Sequence, residues 1–216
     1  MNILEGRKPF LASREGKTDI VLLSTFYEIE RFHLRAYNEL DAYLDEPEPY
    51  LEIVLSSAAV LARIMNSNSI LLVEFEVEDG ERRVELPSGK VKEDTDKTIF
   101  DAAAREFYEE TGGTILLPDL KPLSVVRHKD ERGGLQFYTE IPELNVEQSD
   151  EFGRGYITPP RGTDRGGVAR LITEPLDVFL DQEKTLLMYS ENPWAVDEVV
   201  RLTLGMHIME LDRARE

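Results

Sequence analysis

Three carboxylates crowd the stretch Arg105-Glu106-Phe107-Tyr108-Glu109-Glu110-Thr111-Gly112. Read as the last turns of a helix, Glu106, Glu109 and Glu110 fall at positions i, i+3 and i+4, where side chains are neighbours. A helix on its own gains nothing from this. Like charges at those spacings each cost roughly 0.2–0.5 kcal/mol, and carboxylates at a C-terminus oppose the macrodipole by roughly 0.3–1 kcal/mol each. A bound divalent cation reverses the sign of every one of those terms. The chain has no cysteine and only three histidines, and His33, His128 and His207 show no metal-ligand spacing. A metal here must be held by oxygen, which suits hard ions such as Mg²⁺ or Mn²⁺.

The element that positions these groups announces itself locally. Thr98 and Asp101 have the [ST]-x-x-[DE] spacing of a capping box, which predicts a helix over 99–111 with Gly112 as its stop. Along it Ala102, Arg105, Glu106 and Glu109 form one stripe, and Arg105 can pair with Glu109 one turn on. Phe100, Ala103, Ala104 and Phe107 are expected to pack toward a sheet. The loop Leu86-Pro87-Ser88-Gly89-Lys90-Val91 leads in directly from a predicted strand.

In these residues the chain resembles the Nudix hydrolase family, whose box is Gly-x5-Glu-x7-Arg-Glu-U-x-Glu-Glu-x-Gly-U, with U apolar. Arg105, Glu106, Phe107, Glu109, Glu110 and Gly112 match its second half, a string expected by chance on the order of 10⁻⁷ per position. The first half departs from the pattern. Gly89 stands 16 positions before Arg105, two more than the box has, which places an insertion within Lys90–Thr95. Lys97 occupies the box's first acidic position, so Asp96, Glu93 or Asp94 must take over its orienting role. Gly113 replaces the closing apolar residue.

The resemblance implies an α/β/α sandwich around a mixed β-sheet, and hydrolysis of a pyrophosphate linkage in a nucleoside diphosphate joined to another moiety. It implies that Glu106 and Glu110 are direct metal ligands, and that Glu109 is a third ligand or orients the water. The Gly89 carbonyl would complete the sphere, and Arg105 would hold a glutamate in place. In many members a base or further ligand comes from a later loop, which makes Glu147, Asp150, Glu151 and Asp164 candidates, each more often a solvated charge. For substrate, Arg83 and Glu85 share one face of a strand, and Arg127, Arg154, Arg161 and Arg165 are cations suited to phosphate.

Composition narrows the partners. A formal charge of −18 argues against the broad basic footprint of a protein that binds long nucleic acid. The first 17 residues lack the apolar core of a signal peptide and no apolar run reaches membrane-spanning length, so a cytoplasmic protein without membrane contact is expected.

Outside the box, strands are expected at 19–23, 51–64, 70–77, 84–86, 123–127, 136–141 and 168–172. Turns are expected at Asn66-Ser67-Asn68, Asp79-Gly80 and Gly133-Gly134, with a long glycine-rich loop over 145–167. Thr25 and Glu28 repeat the capping-box spacing ahead of Phe26, Ile29, Leu34, Tyr37, Leu40 and Leu44, which predicts a helix over 26–45 that buries its stripe against the domain or a second subunit. Helices are also expected over 174–189 and 193–210, the last carrying Trp194, Val196, Val199, Val200, Leu204 and Ile208 as packing residues. The resulting organisation is an N-terminal helical extension over 1–49, a hydrolase domain over 50–190 and a C-terminal helix over 191–216, with a homodimer as a possible assembly.

The expected activity is Mg²⁺-dependent hydrolysis of a small nucleoside diphosphate derivative of the nucleotide-sugar or dinucleotide type. Two alternatives stand beside it: an inositol-pyrophosphate or coenzyme A diphosphate hydrolase, the former calling for a dense basic pocket, and a Nudix-fold sensor that binds without hydrolysing.

Overall fold

A computed structural model describes residues 10–14, 20–23, 26–37, 48–76, 82–127, 132–151, 153–159 and 168–180. The expected turn at Asp79-Gly80, Asp164, Arg161, Arg165 and the helix over 193–210 lie outside them.

Among the described residues thirteen strands form one mixed sheet. In chain order they are β1 (Phe10–Arg14), β2 (Ile20–Leu23), β3 (Phe26–Glu30), β4 (His33–Tyr37), β5 (Leu51–Ile64), β6 (Ser69–Glu76), β7 (Arg82–Glu85), β8 (Ser88–Lys90), β9 (Lys121–Arg127), β10 (Arg132–Ile141), β11 (Gln148–Ser149), β12 (Gly155–Ile157) and β13 (Val168–Pro175). Two helices accompany them, α1 (Ile99–Thr111) and α2 (Leu176–Leu180).

The spine is β5. On one side it pairs in parallel with β10, and on the other it pairs antiparallel with β4, β8 and β6 in succession. Ile53 and Leu55 face the same core as Ala58, Val60, Ala62 and Ile64 although the two sets differ in parity. The register slip opposite Gly133 and Gly134 explains this, because it leaves Ser56 without a partner residue on β10. One extra residue in a strand returns the following side chains to the original face. Ser56 uses its freed carbonyl to accept the Val91 N–H at 3.0 Å, which ties the loop ahead of α1 to the bulge.

Each face of the sheet carries a core. Ile99, Ala102, Ala103 and Phe107 of α1 pack with Ala58, Val60, Val73 and Phe137, and the Phe100 and Phe137 rings lie 4.9 Å apart. The two alanines bring the helix backbone close to the sheet. On the opposite face Leu176 and Phe179 of α2 pack with Leu61, Ile70, Leu72, Tyr138 and Ile172. Helix, sheet and helix form the expected α/β/α sandwich with a mixed sheet.

The N-terminal helix is not there. Phe26–Glu30 and His33–Tyr37 form a hairpin, turned at Arg31 with φ 51°, and β4 adds to the edge of β5. The same apolar residues serve a period of two as well as a helical one: Tyr27 and Ile29, then Phe32, Leu34 and Ala36, alternate into the core. Pairing with β5, remote in sequence, decides between the two periods. Ile29 and Leu34 of the stripe are thus covered within the chain, and residues 26–37 are part of the sheet. Residues 38–45 of the expected helix lie outside the described residues.

Two smaller corrections concern β10 and α2. Gly133 and Gly134 sit within β10, not in a turn. At Gly133 a Cβ would come within 2.7 Å of Ile53 Cγ2 and 3.0 Å of the Val126 carbonyl oxygen, so the glycine serves close strand approach. In place of a helix from residue 174, β13 continues to Pro175 and α2 follows over five residues. Residues 181–189 lie outside the described set.

Candidate active site

Both ends of α1 are fixed. Thr98 Oγ1 accepts the Asp101 N–H at 3.3 Å while the Asp101 carboxylate accepts the Thr98 N–H at 2.8 Å, a complete capping box. The Ile99 N–H, an orphan donor of the first turn, reaches the Arg31 carbonyl at 2.9 Å, so the hairpin turn braces the helix start. Gly112 takes the left-handed conformation, φ 73°, and returns its N–H to the Tyr108 carbonyl at 2.8 Å. The last turn holds no basic residue, so the helix end adds its own partial negative charge to Glu109 and Glu110.

Glu106 and Glu110, one turn apart, face the backbone of β8. Each is 8% exposed. Ser88 N–H donates to Glu110 Oε2 at 2.9 Å, and a Cβ built on Gly89 would land on the Glu106 carboxylate. Glycine at 89 is therefore a cradle, leaving room for a carboxylate against the strand. Burial pushes the Glu110 carboxyl up to about 8, against the pull of the Ser88 N–H and with help from Glu106, Glu85 and Glu109. Among the described residues no basic side chain pairs with Glu110. Burial likewise raises the Glu106 carboxyl, with Arg105 opposing.

Arg105 ties the loop to the helix. Its Nε donates to Asp96 Oδ1 and its Nη2 to Asp96 Oδ2, each at 2.9 Å, a bidentate pair. Its Nη1 reaches Glu106 Oε1 at 2.6 Å and Glu109 Oε2 at 3.0 Å, and Nη2 also donates to the Lys90 carbonyl at 2.9 Å. Burial works to raise the Asp96 carboxyl, but Arg105 and the Lys92 N–H together hold it below its ordinary value. Of the three acids expected to take over the role of the box's first acidic position, Asp96 is the one in contact with Arg105, whereas Glu93 and Asp94, like Lys97, are exposed.

Sequence reasoning passed over Lys92. Its Nζ lies 3.2 Å and 3.1 Å from the two oxygens of Glu109. Among the described residues no three carboxylate or histidine side chains converge in a ligand arrangement, and Glu109 in particular is turned to Arg105 and Lys92. The donor chemistry nonetheless suits a hard cation. Two buried carboxylates lie beside a strand backbone, Glu110 on the Ser88 N–H and Glu106 in the room that glycine at 89 leaves.

The remaining candidates are dispersed. Glu85 lies in β7 opposite Val73, on the α1 side, and adds to the negative field at Glu110. Arg83 lies two residues earlier, opposite Phe75. Arg127 ends β9 and is exposed. In the later loop Glu147 accepts both hydrogen bonds that Thr158 offers, and Asp150 accepts from Arg154 and Tyr156. Both acids thus staple their own loop. Glu151 is exposed.

The NUDIX domain family matches residues 55–164, and this chain belongs to that family, the hydrolases of pyrophosphate bonds. Comparison with curated proteins gives no match. Among solved structures, the chain is similar to a MutT/nudix family protein from Enterococcus faecalis, with 20% identity over 51% of this chain and 44% of that one, TM-score 0.37. It is also similar to a NUDIX hydrolase from Nitrosomonas europaea, with 17% identity over 74% and 89% of the two chains, TM-score 0.42. A third is the NUDIX domain of Shewanella oneidensis NrtR, solved with ADP ribose, with 14% identity over 77% and 93%, TM-score 0.44.

Proposed function

We propose that this chain is a Mg²⁺- or Mn²⁺-dependent pyrophosphohydrolase acting on a small nucleoside diphosphate derivative, with Glu106, Glu110 and the Gly89 carbonyl as metal ligands. The observation that carries this reading is the pair of buried carboxylates set against the β8 backbone, Glu106 sharing Arg105 with Asp96 and Glu109, and Glu110 with no basic partner among the described residues. When bound, the metal would neutralise charge on the diphosphate oxygens and align a water for attack. The chain's own groups do the positioning. Arg105, locked by Asp96, holds Glu106, while Glu109 at the rim is the third ligand or the group that orients the water. Glu85, Arg83 and Arg127 are assigned to the substrate side, Glu85 and Arg83 through their shared strand and Arg127 as an exposed cation suited to phosphate.

The hydrolase domain in this reading covers 50–190, with β1 to β4 of the segment 1–49 joined to its sheet and 191–216 following it, and the protein works in the cytoplasm. A homodimer belongs to the same proposal, to be read by light scattering, although the buried Ile29, Leu34 and Ala36 no longer argue for it. A non-hydrolysing sensor is the second reading, favoured by one observation: Glu109 is already occupied by two cations of the chain.

The deciding experiment is a Mg²⁺-dependent screen of nucleotide sugars, dinucleotides, nucleoside triphosphates, coenzyme A and inositol pyrophosphates, with products resolved by chromatography. Turnover of a nucleoside diphosphate derivative that stops in chelator supports the proposal. Binding without turnover across the panel favours the sensor, and turnover confined to inositol pyrophosphates or coenzyme A moves the substrate class.

A further inference from the structure

We infer that Lys92, supplied by the inserted loop, is a built-in counter-cation that competes with the divalent metal for Glu109. The inference rests on the metal-site reading above and concerns a residue at none of the positions the family's box specifies.

Lys92 is held by its backbone. Its N–H donates to Asp96 Oδ2 at 2.7 Å, and its carbonyl accepts the N–H groups of Thr95 and Asp96 at 2.9 Å and 2.7 Å. Asp96 is in turn clamped by Arg105, so the turn that projects Lys92 is fixed to the helix it serves. The side chain is the free part. Its ammonium spans both oxygens of Glu109 and is about half exposed, so it can swing into water without disturbing the turn.

Charge supplies the reason for such a group. Asp96, Glu106 and Glu109 pair with Arg105 and Lys92, and Glu110 pairs with no basic side chain among the described residues. Without metal, the ammonium offsets part of the repulsion that the helix end cannot. With a dication beside Glu109, the same ammonium becomes a like charge and must withdraw. Metal affinity is thereby lowered, and Glu109 is kept from collapsing elsewhere while the site waits for metal.

The test is Mn²⁺ titration followed by electron paramagnetic resonance, which counts free ion and needs no turnover, on the full chain as wild type, Lys92→Met, Lys92→Arg and Glu110→Gln. Lys92→Met should bind Mn²⁺ about three- to tenfold more tightly, the scale of one partly exposed charge acting on a dication. Lys92→Arg, which keeps the charge, should match the wild type. Unchanged or weaker binding in Lys92→Met, with the wild type binding normally, overturns the role of Lys92. No saturable binding in the wild type overturns the metal-site reading itself. A Lys92→Met protein that loses its cooperative thermal transition would make Lys92 a folding residue and also overturn the inference, with Lys92→Arg separating loss of charge from loss of shape.

Discussion

Two clusters of buried charge lie on opposite faces of one sheet, and they are built on different terms. On the α2 face Glu74 is buried and takes Arg170 Nη2 at 2.9 Å. Arg170 lies over the Tyr156 ring at 4.2 Å, and the Tyr156 hydroxyl and Arg154 Nε both donate to Asp150 at 2.7 Å. Within this cluster Glu74 and Asp150 each meet a guanidinium, Arg170 and Arg154. On the α1 face Asp96, Glu106 and Glu109 meet Arg105 and Lys92, and Glu110 meets no basic side chain among the described residues. The balanced cluster closes a strand edge and asks for nothing further. The unbalanced one is relieved by a proton or by an added cation, because desolvated carboxylates of like sign raise one another's energy.

The strongest way to break this comparison is to remove one acid from each cluster. Glu110→Gln or Glu106→Gln should cut pyrophosphate hydrolysis by about 10²–10⁴-fold while the fold survives, since charge leaves and volume stays. Glu74→Gln should leave Mg²⁺-dependent turnover intact and instead cost about 1–2 kcal/mol of stability, less than breaking a fully buried pair because the Arg170 side chain is about a third exposed. Steady-state kinetics beside urea unfolding reads both, and a loss of turnover in Glu74→Gln equal to that of Glu110→Gln would erase the distinction.

Gly89→Ala comes next. Its methyl would occupy the place of the Glu106 carboxylate, and a displacement of that size should cost about 100-fold in kcat with an unchanged circular dichroism spectrum. Wild-type kcat would mean that Glu106 does not need its seat against β8. A smaller effect is expected from Asp96→Ala, about 10- to 100-fold in turnover, the scale of residues that orient a metal ligand. Lys97→Ala should change nothing, and equal effects from the two would deny Asp96 its role.

The smallest effect is on stability against pH without metal. The Glu110 carboxyl is raised to about 8 in the folded chain from an ordinary 4.5, so the folded state keeps a proton that the unfolded state gives up between those values. That contribution is fully present below about 4.5 and lost as pH rises through 8. Urea midpoints in chelator should therefore fall from pH 5 toward pH 8 in the wild type and fall less in Glu110→Gln. A rising midpoint over that window, or equal slopes, would place Glu110 in a more polar setting than the structure gives it.

How much of this was legible in the sequence depends on how local the signal was. The helix from Ile99 to Thr111, its Thr98–Asp101 cap and its Gly112 stop were legible to the residue because each is a contact over three or four positions. Asp96 was legible as one of three acids near the shifted box position, and only the fold could choose among them. The segment 26–37 was misread because its apolar residues fit two periods, and what selects strands is pairing with β5, some twenty residues on. The brace from the Arg31 carbonyl to the helix start, and the reach of Lys92 to Glu109 across 17 residues, are likewise contacts that no local pattern encodes.

The central claim is that the unbalanced cluster of α1 and β8 is a divalent-cation site and the balanced one is not. Thermal unfolding near pH 8 with Mg²⁺ titrated into the wild type, Glu110→Gln and Glu74→Gln tests it directly. At about 100 times the dissociation constant, binding should add about 2.7 kcal/mol, or roughly 5–10 °C in Tm for a chain of this size. The predicted result is that rise in the wild type and in Glu74→Gln and its absence in Glu110→Gln; an equal rise in Glu110→Gln, or none in the wild type, would contradict the account.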